Sequence, residues 1–356
     1  MPTLSHMRAP DRSDDRFIIK ITIAVIALLC VMTVSCCLGS SDTSLSDVIK
    51  YFTGRADELS KTTATIIGRI RIPRTVTAAL VGGALASVGC VMQGLFRNPM
   101  ADPSVLGISS GAALGASVAI VTGLNGVIVF GAFTGAYIGA VIGAVVTWLM
   151  VFVIATQNGH YDTSSTLLAG IAISSLMSAL ITVLMTLHLE DMERVYMWML
   201  GTFSASTADK TRLLLLVTAV LVPVLITVAP RIDVLKLGRE AAMTLGVNQK
   251  RTLAIALAAC SCLLAFCVAN SGIIGFVGLI IPHIASFFKV TKMRRRLILS
   301  FMIGAVFMVL CDTLCKTVVA PGELAIGAVT SLIGAPYFLF LLMKSRVKSG
   351  RERSSV

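Results

Sequence analysis

Three arginines, Arg69, Arg71 and Arg74, stand in one short stretch at the head of an apolar run. Guanidinium groups so placed form fixed, two-pronged pairs with carboxylates. The blander alternative is a solvated helix end whose arginines reach up to lipid headgroups. The run ends in Arg97-Asn98-Pro99-Met100-Ala101-Asp102-Pro103, and a second apolar run opens straight after it. A membrane helix interrupted in this way frees backbone groups that only protein or water can satisfy, so such breaks line paths through a bilayer. Asn98 and Met100 in the break, and Ser164 in Thr163-Ser164-Ser165-Thr166 at the same depth, are candidates for narrowing and resealing a path. Asn98 and Ser164 fit equally well as ordinary helix caps. Groups for covalent chemistry are missing. The chain has no G-x-x-x-x-G-K-[ST] loop, no H-E-x-x-H, no G-x-S-x-G and no paired-cysteine metal motif, so it neither cradles ATP itself nor reads as an enzyme.

The elements that must position these groups follow from composition. Of 356 residues, 56% are hydrophobic and 13% charged, which a soluble domain of this length rarely matches. At about 20 residues per span, the apolar runs predict about ten membrane helices and an all-α polytopic membrane protein. They fall near 17–38, 75–96, 105–121, 127–155, 167–187, 213–229, 252–269, 273–288, 297–315 and 328–343, the eighth being short and rich in Gly and Pro. Residues 17–343 thus form one transmembrane domain between tails 1–16 and 344–356. The N-terminal segment lacks a small-residue cleavage site between Cys30 and Ser40, so the first span is expected to persist. An even number of spans puts both termini on one side. Two thirds of the Lys and Arg fall on that side, which the positive-inside rule makes cytoplasmic. The net charge of +12 then reflects topology, and nucleic acid is not an expected partner.

Seven of the nine cysteines lie inside apolar runs, where Cys acts as a small hydrophobe. Cys36 and Cys37 near the outer face either pack likewise, pair with a partner or carry a lipid. Gly131, Gly135, Gly139 and Gly143 recur every four residues in the fourth span, a pattern for close helix packing. Segments beginning at Arg74-Thr75 and Arg251-Thr252 start on opposite sides and run into broken stretches, as inverted repeats do. No acid lies at mid-bilayer: Asp312 and Glu323 fall at the outer end of the ninth span and in the loop after it. A proton- or sodium-coupled carrier needs such a group, so energy from a separate ATPase fits better.

Residues 231–250 connect the sixth and seventh spans on the side of the termini. Asp233 is placed as N-cap and Gly246 as the C′ glycine of a short helix kinked at Gly238. Leu237, Ala241, Ala242 and Leu245 recur at helical spacing beside Lys236, Arg239 and Glu240, giving a small amphipathic surface helix. Such a helix lies on lipid, caps the bundle or docks into a partner.

The block Arg69–Gly115, the connector Leu237-Gly238-Arg239-Glu240-Ala241-Ala242-Met243-Thr244-Leu245-Gly246, GIIGFVGLIIPHIAS from Gly272 and PGELAIGAVTSLIGAPYFLFLL from Pro321 closely resemble FecCD-type permeases. These are the membrane subunits of ABC importers for iron–siderophores, haem and cobalamin, and the resemblance covers roughly Arg69 to Met343. It implies a type II ABC importer permease fold, a dimer with a second permease copy or paralogue, and no cofactor on this chain. ATP-Mg would sit on a separate ABC ATP-binding subunit, and an extracytoplasmic substrate-binding protein would deliver the cargo, an iron–siderophore first. Leu237, Gly238, Glu240, Ala241, Ala242, Leu245 and Gly246 match the segment that docks on the ATPase. Arg71 and Arg74 match arginines that receive glutamates of the binding protein, with Lys316 at a third basic position. Asn98, Met100 and Ser164 match the family's cytoplasmic constriction. His283 belongs to a family I-P-H feature shared regardless of cargo, so it is not assigned to haem, and His188 is read as solvated.

Overall fold

The computed structural model describes residues 12–39, 43–131, 133–156 and 163–353. Its helices are α1 (Arg12–Cys37), α2 (Leu45–Phe52), α3 (Lys61–Thr65), α4 (Ile72–Leu95), α5 (Ile108–Val121), α6 (Gly135–Thr156) and α7 (Thr163–Leu187). They continue with α8 (Met192–Leu200), α9 (Ala208–Leu235), α10 (Arg239–Thr244), α11 (Gln249–Ser271), α12 (Val277–Phe287), α13 (Met293–Thr317) and α14 (Ile326–Arg353). Among the described residues, seven helices are long and apolar enough to cross a membrane, and α5, α12 and the first part of α14 are shorter apolar helices. Together they account for the ten predicted spans. The chain is a multi-pass membrane protein of nearly all-helical structure.

Contacts between elements define two faces. The start of α1 meets the end of α12, where the Lys20 ammonium donates to the Phe288 carbonyl at 2.7 Å. The end of α9 meets the start of α13 on that same side, which we call the N-terminal face. On the opposite, distal face the start of α4 meets the ends of α1 and α13. The start of α14 there pairs with the α8–α9 turn through Ile326 N–H and the Gly201 carbonyl.

The central element is α4, continuous with α3 through a π-helical turn at Ile66–Arg71. In its most apolar window 94% of the residues are buried, whereas none are in the corresponding window of α1, which faces outward on the rim. Small residues explain the difference. Gly82 lies so close to the Gly304 carbonyl of α13, and Gly89 to the Gly278 carbonyl of α12, that a Cβ at either would collide with backbone. In lipid, where apolar side chains gain nothing by leaving the solvent, such close backbone packing is what holds helices together.

The same logic governs α5 and α6. Gly139 faces Gly115 and Gly143 faces Gly111 at backbone contact, and Gly135 sits on the Leu124 carbonyl. Gly131 does not belong to this stripe. The fourth span begins only at Gly135, because residues before it fold into a small hairpin pairing Ile128–Phe130 with Phe133–Thr134, and Gly131 sits in its turn with φ 58°. The eighth span is shorter than predicted as well. Residues 273–276 are irregular after Gly272 (φ 70°), and Phe276 adopts a left-handed backbone (φ 67°) before α12 starts. Both α4 and α11 thus run as long helices from opposite faces into a break followed by a short helix. The first turn of α12, just past its break, touches the break after α4 where Gly278 lies under the Pro103 ring.

The described cysteines are all free thiols. Cys260 is buried and Cys262 exposed, as a spacing of two on a helix dictates.

Candidate functional site

Three regions carry the predicted functional residues, and the first is the root of the connector on the N-terminal face. Asp233 is not the N-cap of the connector helix, because α9 runs on through it to Leu235. Its carboxylate instead receives the Met293 N–H at 2.8 Å and the Lys236 ammonium at 2.8 Å, closing the first turn of α13 from outside. The helix end of α13 has no side-chain cap of its own, so a remote carboxylate supplies one. Arg97, at φ 49° just past α4, donates to the Leu235 carbonyl. The ends of α4 and α9 and the start of α13 therefore meet at one point.

From that point the chain turns at Gly238 (φ 113°), forms α10 over six residues and turns back at Gly246 (φ 73°). Only glycine adopts both turns without strain. The Gly246 N–H donates to the Met243 carbonyl and the Val247 N–H to the Ala242 carbonyl, closing the helix end. The apolar face expected from Leu237, Ala241, Ala242 and Leu245 is split. Ala242 is buried against the protein's own bundle and Ala241 is half-buried, while Leu237, Met243 and Leu245 are 69%, 66% and 60% exposed. Glu240 is exposed beside them. Sequence spacing missed Met243, since six helical residues held between two glycines are too few for periodicity to fix the outward face.

The second region is the break after α4. The Asn98 side-chain oxygen accepts the Met100 N–H at 2.9 Å, and that of Asp102 accepts the Ser104 N–H at 2.8 Å, so both act as local caps. Met100, 39% exposed, lines a cavity of about 100 Å3 with Pro99, Leu279, Ile280 and His283, closed by Phe338 and Leu341 of α14. Ser164 lies in the first turn of α7, and its side chain falls outside the described residues. Farther along α7, Gly170 abuts the Val105 carbonyl in the same break. Met100 therefore faces α12 and α14, and α7 leans on the break from another side. His283 packs edge-on against Phe287 and Tyr337, with ring centroids at 5.1 and 6.3 Å.

One polar contact near the break escaped the sequence reading. Pro282 has no N–H to offer the Gly278 carbonyl four residues back. The Gln93 amide of α4 reaches this pair of carbonyls instead, donating to Leu279 at 2.9 Å and more weakly to Gly278 at 3.4 Å. A proline inside an apolar helix is the signal that some neighbour must answer.

The third region is the distal face, where Arg71, Arg74 and Lys316 were expected to form an exposed basic surface. All three are buried, at 5%, 7% and 6% exposure. Arg74 spreads its fork over two carboxylates. It donates to Asp312 at 2.8 to 3.1 Å and to Glu323 at 2.6 Å. Arg71 donates to the Cys36 and Cys37 carbonyls at 2.6 and 2.9 Å and to the Thr43 hydroxyl, closing the end of α1. Lys316 donates to the Ser35 carbonyl at 2.6 Å and to its hydroxyl at 2.9 Å. Burial with internal partners explains why these cations stand on the face opposite the termini: each satisfies a helix end or an acid. Only Arg69 of the triplet is exposed. Lys210, overlooked in the sequence, is a fourth buried cation here, donating to the Ala205 carbonyl and standing over the Tyr137 ring. His188, partly exposed, stands 4.0 Å from Glu190.

Comparison with known proteins agrees with this architecture. The model of the FecCD transport family matches residues 26–344. Among curated relatives, the cobalamin import system permease protein BtuC of Halobacterium salinarum is 39% identical over 81% of this chain and 76% of its own length. The Fe(3+)-citrate import system permease protein YfmE of Bacillus subtilis is 33% identical over 94% and 98% of the two chains. The hemin transport system permease protein HmuU of Yersinia pestis is 36% identical over 78% and 83%. A metal-chelate type ABC transporter solved in an inward-facing conformation superposes with a TM-score of 0.78 at 29% identity, covering 90% of this chain and 97% of that one. The chain belongs to the FecCD transport family and is a permease of an ABC importer.

Proposed function

We propose that this permease forms, with a second copy or paralogue, the path of an ATP-driven importer for an iron–siderophore complex in a bacterial plasma membrane. Its termini and connector face the cytoplasm. Relatives named for Fe(3+)-citrate, hemin and cobalamin support a cargo among bulky metal chelates, with iron chelates first in order. The ATPase is a separate chain, carrying ATP and Mg, that grips α10. An extracytoplasmic binding protein presents cargo at the distal face.

The observation that carries this reading is the connector. Leu237, Met243 and Leu245 stand out into solvent on a segment fixed at its root by Asp233 and Arg97. Exposed apolar side chains on a short rigid helix are what a partner's groove takes up. Displacement of α10 then pulls on the end of α9 and, through Asp233, on the start of α13. At the distal face, carboxylates of a binding protein reach Arg74 in exchange for Glu323, the more exposed of its two partners. At the break, Asn98, Met100 and Ser164 close the cytoplasmic end of the path. Transport is a shift between two packed arrangements, and no bond is made or broken on this chain.

The test is uptake and ATP hydrolysis by the complex in lipid vesicles, comparing wild type with Ala241→Arg and Leu245→Arg. Co-purification of an ATPase with the wild type, and its loss with loss of ATP-driven uptake in the variants, supports the reading. Cargo movement by the chain alone, indifferent to both substitutions, overturns it in favour of a channel or secondary carrier.

A further inference from the structure

A cavity of about 440 Å3 opens on the N-terminal face between the start of α1 and the α12–α13 turn. Five cations line it: Arg16 and Lys20 from α1, Lys289 and Lys292 from the turn, and Arg295 from the first turn of α13. No carboxylate lines it among the described residues, and none of Arg16, Lys20, Lys289 and Lys292 forms an ion pair there. So many like charges around one concavity repel each other and raise the local concentration of anions.

The position of the cavity narrows the choice of anion. It lies where the chain passes from charge to hydrocarbon, since Arg16 is followed at once by Phe17 and the outward-facing Ile18 and Ile19, 61% and 57% exposed. On the other wall Phe287 and Phe288, 60% and 43% exposed, continue the apolar surface below the lysines. The walls are held in place: Lys20 donates to the Phe288 carbonyl, and the Arg295 guanidinium lies 5.2 Å from the centroid of the Phe17 ring. A ligand matching this surface has a phosphate at one end and hydrocarbon at the other.

We propose that this cavity is a binding site for the headgroup of an anionic phospholipid in the leaflet at the N-terminal face. The phosphate sits among Lys20, Lys289, Lys292 and Arg16, and the acyl chains run along α1 and past Phe287 and Phe288. Basic pockets between membrane helices hold anionic headgroups by the summed attraction of several Lys and Arg. Such a lipid ties α1, whose most apolar stretch has no buried residue, to the α12–α13 turn.

Native mass spectrometry of the purified full-length chain tests the assignment, with phosphatidylglycerol and phosphatidylcholine of matched acyl chains as probes. Phosphatidylglycerol should bind the wild type more tightly than phosphatidylcholine and raise its thermal midpoint. Lys20→Gln/Lys292→Gln should weaken phosphatidylglycerol about tenfold or more and leave phosphatidylcholine unchanged. Arg16→Gln/Lys289→Gln, on exposed side chains, serves if the first pair fails to fold. Equal retention of the two lipids, or unchanged phosphatidylglycerol binding in the double variant that folds, overturns the proposal. Displacement of phosphatidylglycerol by millimolar glycerol phosphate or inorganic phosphate also overturns it, making the cavity a site for a soluble phosphate.

Discussion

The Asp233 carboxylate, at the end of α9, accepts the N–H of Met293, first residue of α13, at 2.8 Å. One side chain thereby joins the root of the connector to a helix whose other end carries Asp312, partner of Arg74 on the opposite face. Loss of an N-terminal cap costs about 1 kcal/mol. Asp233→Ala should therefore lower thermal stability modestly and uncouple more than it destabilises. ATP hydrolysis by the assembled complex should persist while cargo moved per ATP falls several-fold. Equal losses in both would show that Asp233 is a cap and nothing more.

Outward and inward positions of α10 should respond differently to the same change. Met243→Asp and Leu245→Asp put charge on exposed side chains, so the chain should fold normally and fail to retain an ATPase on purification. Ala242→Asp buries a carboxylate without a partner, at a cost of about 3 kcal/mol or more, and should reduce the yield of folded protein itself. Size-exclusion profiles and midpoints of unfolding separate the two outcomes.

At the distal face, Arg74→Gln strands Asp312 in a site 1% exposed and should destabilise by about 3–5 kcal/mol. Arg74→Gln/Asp312→Asn removes both charges and should recover much of the loss. Glu323→Gln, at a partly exposed side chain, should change stability by about 1 kcal/mol or less. A double-mutant cycle on thermal midpoints reads the coupling directly, and additive losses for Arg74 and Asp312 would mean the pair is not the partner set drawn here.

The α5–α6 seam offers a packing test. A Cβ at Gly143 would lie 2.1 Å from the Gly111 carbonyl, which is backbone and cannot swing away. Gly143→Ala should cost about 1–3 kcal/mol through forced separation of the helices. Gly126→Ala, where nothing stands within 4 Å, should leave the midpoint near wild type.

Hydrophobic runs made most of the helices legible in the sequence, because a span must be apolar over nearly its whole length. The turn glycine Gly246 was legible too, since few other residues turn that sharply. The hairpin before α6 was not: Val127 to Phe133 is as apolar as the helix it precedes. Nor were the partners of the buried cations. Arg74 and Asp312 were each noticed, yet 238 residues separate them, and only helix packing shows that α4 and α13 bring them together. Asp233 was misplaced for the same reason. A carboxylate beside a short helix reads as its cap, whereas here it serves the N–H of a residue sixty positions away.

The 11 residues of α12 span about 16 Å, against roughly 30 Å of hydrocarbon. The remaining depth on that flank is taken by non-helical backbone from Gly272 to Phe276, whose amides survive only beside protein or water. Where water meets them, the low-dielectric barrier is thinner than elsewhere in the protein. The membrane voltage then falls over a shorter distance, and any charge moving beside α12 meets a steeper field and a lower dehydration barrier than across intact bilayer.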